Sequence, residues 1–145
     1  MRQPPNNPNS TPFLFVYGTL MKGFGEGWQD LVGAELVGQG SIGGRLYDLG
    51  DYPGATPDGG ESRQRVRGEL YRLSDPELAM RILDGYEEFL PLQPEESLFV
   101  RTLVPVTLET DRREDAWVYF YNRAADEAKL IPSGDYRDNR FSSGK

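Results

Sequence analysis

The stretch Phe13-Leu14-Phe15-Val16-Tyr17-Gly18-Thr19-Leu20 decides the fold of this chain. It begins with bulky side chains, and their density is typical of a buried β-strand. Gly18 then permits a sharp turn, and because it has no Cβ it allows a close approach to the main chain. Backbone N–H groups in such a turn can bind an anion or a carbonyl oxygen. The alternative is a strand and a turn that bind nothing.

The composition predicts one domain rich in strands and turns. The chain has 145 residues, of which 37% are hydrophobic, 17 are Gly and 11 are Pro. Its net charge of -7 argues against nucleic acid and against anionic membrane surfaces as partners. We therefore expect a cytoplasmic protein that binds neither nucleic acid nor membrane.

Histidine and cysteine are both absent from the sequence. Their absence removes disulfides, thiolate nucleophiles, the usual imidazole base and the commonest ligands of zinc. Any chemistry must therefore use carboxylates, hydroxyls, Lys, Arg or backbone groups.

Turn signals and alternating apolar residues divide the rest of the chain. We expect a disordered tail over 1–12, one domain over 13–137 and a second tail over 138–145. The predicted elements are one long bent strand or a strand pair over 35–50, a loop over 51–63, and strands over 66–73, 98–108 and 115–122. The last two strands are expected to form an antiparallel hairpin.

A helix is predicted between the strand over 66–73 and the next strand. Ser74 fits an N-cap, Pro76 fits an early helical position, and Glu77 completes a capping box. The helix is expected to reach about Tyr86. The apolar positions expected to form its buried face are Leu78, Ile82 and Leu83, with Met80 or Ala79 nearby.

Acidic residues cluster where this helix ends, in Leu83-Asp84-Gly85-Tyr86-Glu87-Glu88. Asp84 and Glu87 are three residues apart and share a face if the helix persists. A carboxylate held between Tyr86 and Phe89 would be partly desolvated, which raises its pKa towards neutrality. Such a group is a general base that needs no histidine. The alternative is a solvated helix end with surface acids.

Other polar side chains have a functional and a structural interpretation. Arg101 fits the two-point geometry of a carboxylate partner, or is a cation on the surface of a strand. Tyr119 and Tyr121 lie on one face of the last strand and either present hydroxyls to a cavity or pack in the core. Tyr52 has the same two interpretations in a loop.

Taken in order, these segments resemble the γ-glutamylcyclotransferase-like family, in its γ-glutamylamine cyclotransferase or avirulence-induced-protein-like branch. The matching motifs are Val16-Tyr17-Gly18-Thr19-Leu20, Gly44-Arg45-Leu46-Tyr47-Asp48 with Tyr52-Pro53, Val66-Arg67-Gly68-Glu69-Leu70-Tyr71, Leu83-Asp84-Gly85-Tyr86-Glu87, Val100-Arg101 and Trp117-Val118-Tyr119. The resemblance extends from about Phe13 to Tyr136. It implies an α+β fold, a small mixed β-barrel with surrounding short helices and a cavity at the Tyr-Gly-Thr-Leu loop.

The resemblance also implies an enzyme, a γ-glutamylcyclotransferase. The γ-glutamyl group of a γ-glutamyl amine or peptide would be cyclised to 5-oxoproline with release of the amine. Glu87 matches the family's glutamate that acts as general acid and base, and no metal or cofactor is required. The residues that would bind or enclose the substrate are Tyr17, Gly18, Thr19, Leu20, Tyr52 and Tyr119.

Two positions depart from the family pattern and motivate a second hypothesis. Glu88 stands where the family often has Gly, and Phe99 stands where it often has Tyr. The same fold would then bind a γ-glutamyl compound without turning it over. A third hypothesis is a protein-interaction domain that uses the loop from Gly50 to Gly60. A nucleotide site after Met21 is disfavoured because the lysine pattern of a P-loop is missing.

Overall fold

The computed structural model describes residues 11–18, 29, 33–50, 52–57, 64–86 and 94–137. Apart from residues 11 and 12, the predicted tails lie outside this part of the chain. The elements are β1 (Phe13–Val16), β2 (Ala34–Gly43), β3 (Arg45–Asp48), β4 (Pro53–Thr56), β5 (Arg65–Leu73), α1 (Pro76–Tyr86), β6 (Phe99–Leu108) and β7 (Arg113–Tyr121), with 3-10 turns at Pro94–Glu96 and Glu127–Lys129.

Five strands form a closed barrel in the order β1-β5-β2-β6-β7. Neighbouring strands are antiparallel except β1 and β7, which are parallel and pair through Leu14 and Trp117. β3 and β4 pair with each other in a separate two-stranded sheet. The predicted α+β fold, a small mixed barrel with helical structure around it, is confirmed, and so is the predicted hairpin of the last two strands.

The apolar core includes side chains from both faces of the barrel strands, and one of these faces is almost completely enclosed. Phe15, Leu70 and Val118 lie on this face, and each is at most 1% exposed. Gly68 is required beside them, because a Cβ there would overlap the carbonyl oxygen of Val16 and lie 2.9 Å from Cζ of Phe15. The lack of a side chain on Gly68 therefore makes room for the Phe15 ring.

The region from residue 35 to 63 differs from the prediction in two ways. β2 and β3 are neither one bent strand nor a pair, because the chain leaves the barrel at Gly44, where φ is 153°. The predicted loop over 51–63 contains β4. Pro53 and Gly54 indicated a turn, yet Pro53 opens the strand, where a missing N–H is tolerated. A Cβ at Gly54 would lie 2.9 Å from that of Tyr121, so close packing explains this glycine.

The start of α1 is set by Asp75, which corrects the predicted N-cap at Ser74. A carboxylate oxygen of Asp75 accepts a hydrogen bond from the backbone N–H of Leu78 at 3.2 Å. Its carbonyl oxygen accepts another from the N–H of Ala79 at 2.9 Å. The backbone N–H of Ser74 instead bonds the carbonyl oxygen of Gly33, so Ser74 belongs to the connection between β5 and the helix.

The buried face of α1 agrees with the prediction at Leu83 and at the nearby Ala79 and Met80, and it differs at two positions. Ala79, Met80 and Leu83 are buried, whereas Leu78 is 45% exposed and Ile82 is 37% exposed. The buried stripe of the helix is therefore narrower than its apolar residues predict. Among the described residues, no helix has both the length and the apolar character that crossing a bilayer needs.

The segment that follows β7 returns across the hairpin and the barrel. The backbone N–H of Ile131 donates to the carbonyl oxygen of Leu46 in β3 at 2.7 Å, and that of Arg67 in β5 donates to the carbonyl oxygen of Gly134 at 2.8 Å. Arg137 Nη1 donates to Oε1 of Gln39 in β2 at 2.7 Å. This segment therefore holds the β3–β4 hairpin and two barrel strands together.

Candidate active site

The strand register places one row of side chains beside the turn that follows β1. Val16 pairs with Glu69, Glu69 pairs with Gln39, and Tyr119 pairs with Arg101. Val16 lies level with Tyr119, because the parallel pair between β1 and β7 is made two residues earlier in both strands. Paired residues share a face of a sheet. These five residues therefore form a row on the strand face opposite to Phe15, Leu70 and Val118.

The Tyr17 hydroxyl links three strands at the start of the turn. It donates a hydrogen bond to the carbonyl oxygen of Tyr119 at 2.6 Å and accepts one from the backbone N–H of Ala55 at 3.1 Å. Tyr17 is buried. The residue therefore fixes where the turn starts relative to β4 and β7.

Gly18 is in contact with the β3–β4 hairpin. A Cβ on Gly18 would lie 2.7 Å from Cγ of Pro53, so any side chain would displace the proline. The neighbouring Tyr52 packs its ring against Phe99, with 5.9 Å between ring centroids, and Phe99 packs against Tyr121 at 5.6 Å. An aromatic cluster therefore lies close to the turn.

Asp84 fixes the last turn of α1 to the barrel. The Tyr119 hydroxyl donates to Oδ1 of Asp84 at 2.5 Å, and Nη2 of Arg101 donates to Oδ2 at 3.2 Å. Nε of Arg101 lies 3.0 Å from Oδ1, at ion-pair distance but without the direction of a hydrogen bond. The guanidinium of Arg101 also stacks over the Trp117 ring, 4.8 Å from its centroid. Of the two interpretations of Arg101, the structure therefore shows the carboxylate partner and not the surface cation.

Tyr119 joins the two predicted halves of the site. Its carbonyl oxygen accepts from Tyr17 and its hydroxyl donates to Asp84, so the turn and the end of α1 lie on either side of it. The structure thus brings together four of the predicted site residues, which are Tyr17, Gly18, Tyr52 and Tyr119. The other three, Thr19, Leu20 and Glu87, lie outside the described residues.

Glu69 is a buried acid that the sequence analysis did not single out. It is 3% exposed, and it accepts hydrogen bonds from the Tyr71 hydroxyl at 3.0 Å and from Nε2 of Gln39 at 3.4 Å. The alternation of β5 does not indicate it, because Glu69 shares a face with the exposed Arg65 and Arg67 as well as with the buried Tyr71 and Leu73. Among the described residues, no three acidic side chains lie close enough together to hold a metal ion.

Burial raises the pKa of the Tyr71 hydroxyl to about 12, and the negative charge and hydrogen bond of Glu69 act in the same direction. A hydrogen bond with Gln29 opposes the rise. The Tyr71 hydroxyl therefore stays protonated at neutral pH and remains a donor to Glu69.

A family model described as "Gamma-glutamyl cyclotransferase, AIG2-like" matches residues 14–138. The chain belongs to this family. This family member is 36% identical over 127 residues to the γ-glutamylcyclotransferase family protein YtfP of Escherichia coli (strain K12), an alignment that covers 86% of this chain and 96% of the relative. It is 33% identical over 135 residues to the γ-L-glutamyl-butirosin B γ-glutamyl cyclotransferase of Niallia circulans, covering 92% of this chain and 76% of the relative.

Solved structures show the same fold. YkqA from Bacillus subtilis superposes with a TM-score of 0.69 at 25% identity over 93% of this family member, which spans 43% of the YkqA chain. An AIG2-like protein from Mus musculus superposes with a TM-score of 0.64 at 25% identity, covering 87% of this chain and 88% of the mouse protein. The family resemblance read from the motifs is confirmed.

Proposed function

We propose that this protein is an active γ-glutamylcyclotransferase that converts the γ-glutamyl group of an amine or peptide to 5-oxoproline and releases the amine. Membership of the family supports the reaction class. The observation that carries the proposal is the double contact of Tyr119, which holds the turn after β1 close to the end of α1.

The reaction needs few protein groups because the nucleophile belongs to the substrate. The α-amine attacks the γ-carbonyl carbon, a new C–N bond closes the five-membered lactam, and the original amide C–N bond breaks. Holding the γ-glutamyl chain in a folded pose supplies much of the rate acceleration, since well-oriented intramolecular reactions gain several kcal/mol.

Glu87 is the proposed general acid and base. It removes a proton from the α-ammonium, which frees the lone pair for attack, and delivers a proton to the departing amine. Asp84, three residues earlier, is fixed to Tyr119 and Arg101 and would therefore place Glu87 near the turn. Asp84 itself is assigned a positioning role, because its carboxylate already accepts from Tyr119 and Arg101.

The turn is the proposed anion site. Backbone N–H groups of Gly18, Thr19 and Leu20 would hold the substrate carboxylate or the oxyanion that forms at the γ-carbonyl. Tyr17 would hold the turn in place through its bonds to β4 and β7. Tyr52 and Tyr119 would form part of the wall.

The test is release of 5-oxoproline from a panel of γ-glutamyl compounds that includes γ-glutamyl-ε-lysine and glutathione-type peptides. We expect turnover by the wild-type protein and a loss of at least roughly 100-fold in Glu87→Gln, with an unchanged melting curve. Glu88→Gln, which neutralises the adjacent acid, is the matched control and should keep most activity. Wild-type rates in Glu87→Gln would contradict the assignment.

A silent binding module is the second candidate, and the environment of Phe99 favours it. Phe99 is buried between the rings of Tyr52 and Tyr121 and brings no hydroxyl to the aromatic cluster. Calorimetric binding of γ-glutamyl amines without 5-oxoproline from any of them would favour this candidate.

A further inference from the structure

The aromatic cluster of Tyr52, Phe99 and Tyr121 lies at one end of the candidate site. Phe99 pairs with Tyr121 across β6 and β7, and its ring centroid lies 5.6 Å from that of Tyr121 and 5.9 Å from that of Tyr52. Phe99 is 5% exposed, whereas Tyr52 and Tyr121 are only partly buried. The two tyrosines therefore keep surface that another molecule can touch.

The cluster adjoins the residue that joins the two halves of the site. Tyr121 is two residues beyond Tyr119 on the same face of β7. Tyr119 bonds the Tyr17 hydroxyl through its carbonyl oxygen and Asp84 through its hydroxyl. One end of a substrate bound beside Tyr119 can therefore reach the cluster.

The chemistry of the cluster decides which end of the substrate it suits. The γ-glutamyl end carries an α-ammonium and an α-carboxylate, and burying either charge without a partner costs free energy. The cluster offers ring carbons and two phenol hydroxyls, and none of its residue types is charged at neutral pH. Phe99, at its centre, brings no polar atom. The cluster therefore suits the other end, which is the leaving amine.

The arrangement of the rings favours an aromatic guest. The planes of Tyr52 and Tyr121 are inclined to that of Phe99 by 58° and 55°. Tilted and offset contacts are favourable between aromatic rings, so a further ring can pack on the accessible surface of either tyrosine. An ammonium group suits the cluster less well, because it needs several acceptors once it is desolvated and only the phenol oxygens are available there.

We propose that the aromatic cluster binds the leaving amine and that the preferred substrates are γ-glutamyl amines whose amine part carries an aromatic ring. The proposal rests on the function proposed above and names its substrate class. The reaction is unchanged, because the α-amine closes the lactam, the amide C–N bond breaks and the departing amine takes up a proton. Tyr52, Phe99 and Tyr121 contact the ring of the amine and not the reacting atoms, so they determine specificity.

The test compares L-γ-glutamylphenethylamide with L-γ-glutamylethylamide, which lacks only the phenyl ring. Release of 5-oxoproline gives kcat/KM for each compound. We expect the wild-type protein to prefer the phenethyl compound by roughly 10-fold or more, as for a filled apolar pocket. Tyr121→Leu removes the aromatic ring but keeps an apolar side chain, and it should lower this ratio by roughly 3- to 10-fold. Both rates are measured in the same variant, so a general loss of activity cancels from the ratio.

Three further variants separate specificity from structure. Tyr121→Phe keeps the ring and should keep the ratio. Tyr52→Leu removes the second accessible ring and should lower the ratio, and it provides the test if Tyr121→Leu does not fold. Tyr47→Phe changes a tyrosine of β3 whose hydroxyl bonds Glu127, and it should leave the ratio as in the wild-type protein.

The outcomes distinguish this proposal from the enzymatic function. Equal kcat/KM for the two compounds, or a ratio unchanged in Tyr121→Leu and Tyr52→Leu, would overturn the aromatic subsite while turnover still supports the enzyme. A higher kcat/KM for L-γ-glutamyl-4-aminobutylamide, which carries an ammonium in place of the ring, would overturn it as well. If no compound yields 5-oxoproline, the enzymatic function is overturned and calorimetry decides the subsite. Ring-dependent binding that is lost in Tyr121→Leu would support the subsite, and equal binding of both compounds would overturn it.

Discussion

At the scale of single residues, the candidate site depends on the absence of a side chain at Gly18 and on the hydrogen-bonded carboxylate of Asp84. Gly18 allows the turn to lie against Pro53, and Asp84 fixes the end of α1 through Tyr119 and Arg101. Both residues act through position, because they determine where the turn and the helix end stand relative to each other.

Gly18→Ala should lower both stability and activity. The new Cβ would lie 2.7 Å from Cγ of Pro53, and relieving such an overlap costs about 1–3 kcal/mol. Urea unfolding and the 5-oxoproline assay measure the two effects. Adding Pro53→Ala removes the obstructing ring carbons and should restore part of the loss. Equal defects in the single and the double variant would show that this contact is not the cause.

Asp84→Asn should destabilise the fold by about 2–4 kcal/mol, because it leaves the half-buried Arg101 without its anion. Activity should fall as well, since Glu87 is only three residues after Asp84 and is proposed to be placed by the contacts of Asp84. Urea unfolding gives the first quantity and initial rates give the second. Glu77→Gln changes an exposed acid of the same helix and should leave both nearly constant.

At the scale of elements, the strands that local patterns specify were predicted, and those that depend on distant partners were not. β1, β5, β6 and β7 carry dense or alternating apolar residues, so their positions follow from the sequence. β4 has only four residues and begins with Pro-Gly, and its pairing with β3 defines it. The helix cap was misplaced by one residue because Ser74 and Asp75 are both good caps.

The site could be predicted only in part for a related reason. The order of the motifs identified the turn and the end of the helix. The contact between them is made by Tyr119, and its position depends on how β7 aligns with its neighbouring strands, which the sequence does not specify locally. Glu69 was missed because an acid in an alternating strand is normally exposed. Only the pairing of β5 with both β1 and β2 shows that it is enclosed.

Tyr17→Phe should show how much the Tyr17 hydroxyl stabilises the arrangement of β1, β4 and β7. The change leaves the buried N–H of Ala55 without this acceptor, which costs about 1–3 kcal/mol. Tyr47→Phe is the matched control, because its hydroxyl bonds Glu127, a residue at the surface, and its loss should be smaller. Chemical denaturation of the two variants makes the comparison. A smaller effect for Tyr17→Phe would contradict the structural role assigned here.

At the scale of the whole molecule, the buried Tyr71 makes stability depend on alkaline pH. Its pKa is raised from 10.0 to about 12, so the folded state prefers the neutral phenol. The unfolded chain ionises first as pH rises, and the stabilisation present below pH 10 is lost as pH approaches 12.

Tyr71→Phe should therefore lose less unfolding free energy than the wild-type protein between pH 10 and pH 12, the window set by the two pKa values. Urea titrations at several pH values across this window give the slope for each protein. An ultraviolet titration should also show a phenol that ionises near pH 12 in the wild-type protein and is missing from Tyr71→Phe. If the unfolding free energy changed with pH equally in the two proteins, Tyr71 would not be the cause of this pH dependence.

The contact between Arg137 and Gln39 has a practical consequence for handling the protein. Gln39 donates to Glu69, so an affinity tag fused just beyond the described chain, or a protease cut near Arg137, would disturb the polar chain that leads to the buried Glu69. Pro12, at the other end of the described chain, accepts a hydrogen bond from Leu73, the last residue of β5. Purification tags therefore belong at the amino terminus, where their removal leaves kinetic measurements comparable between preparations.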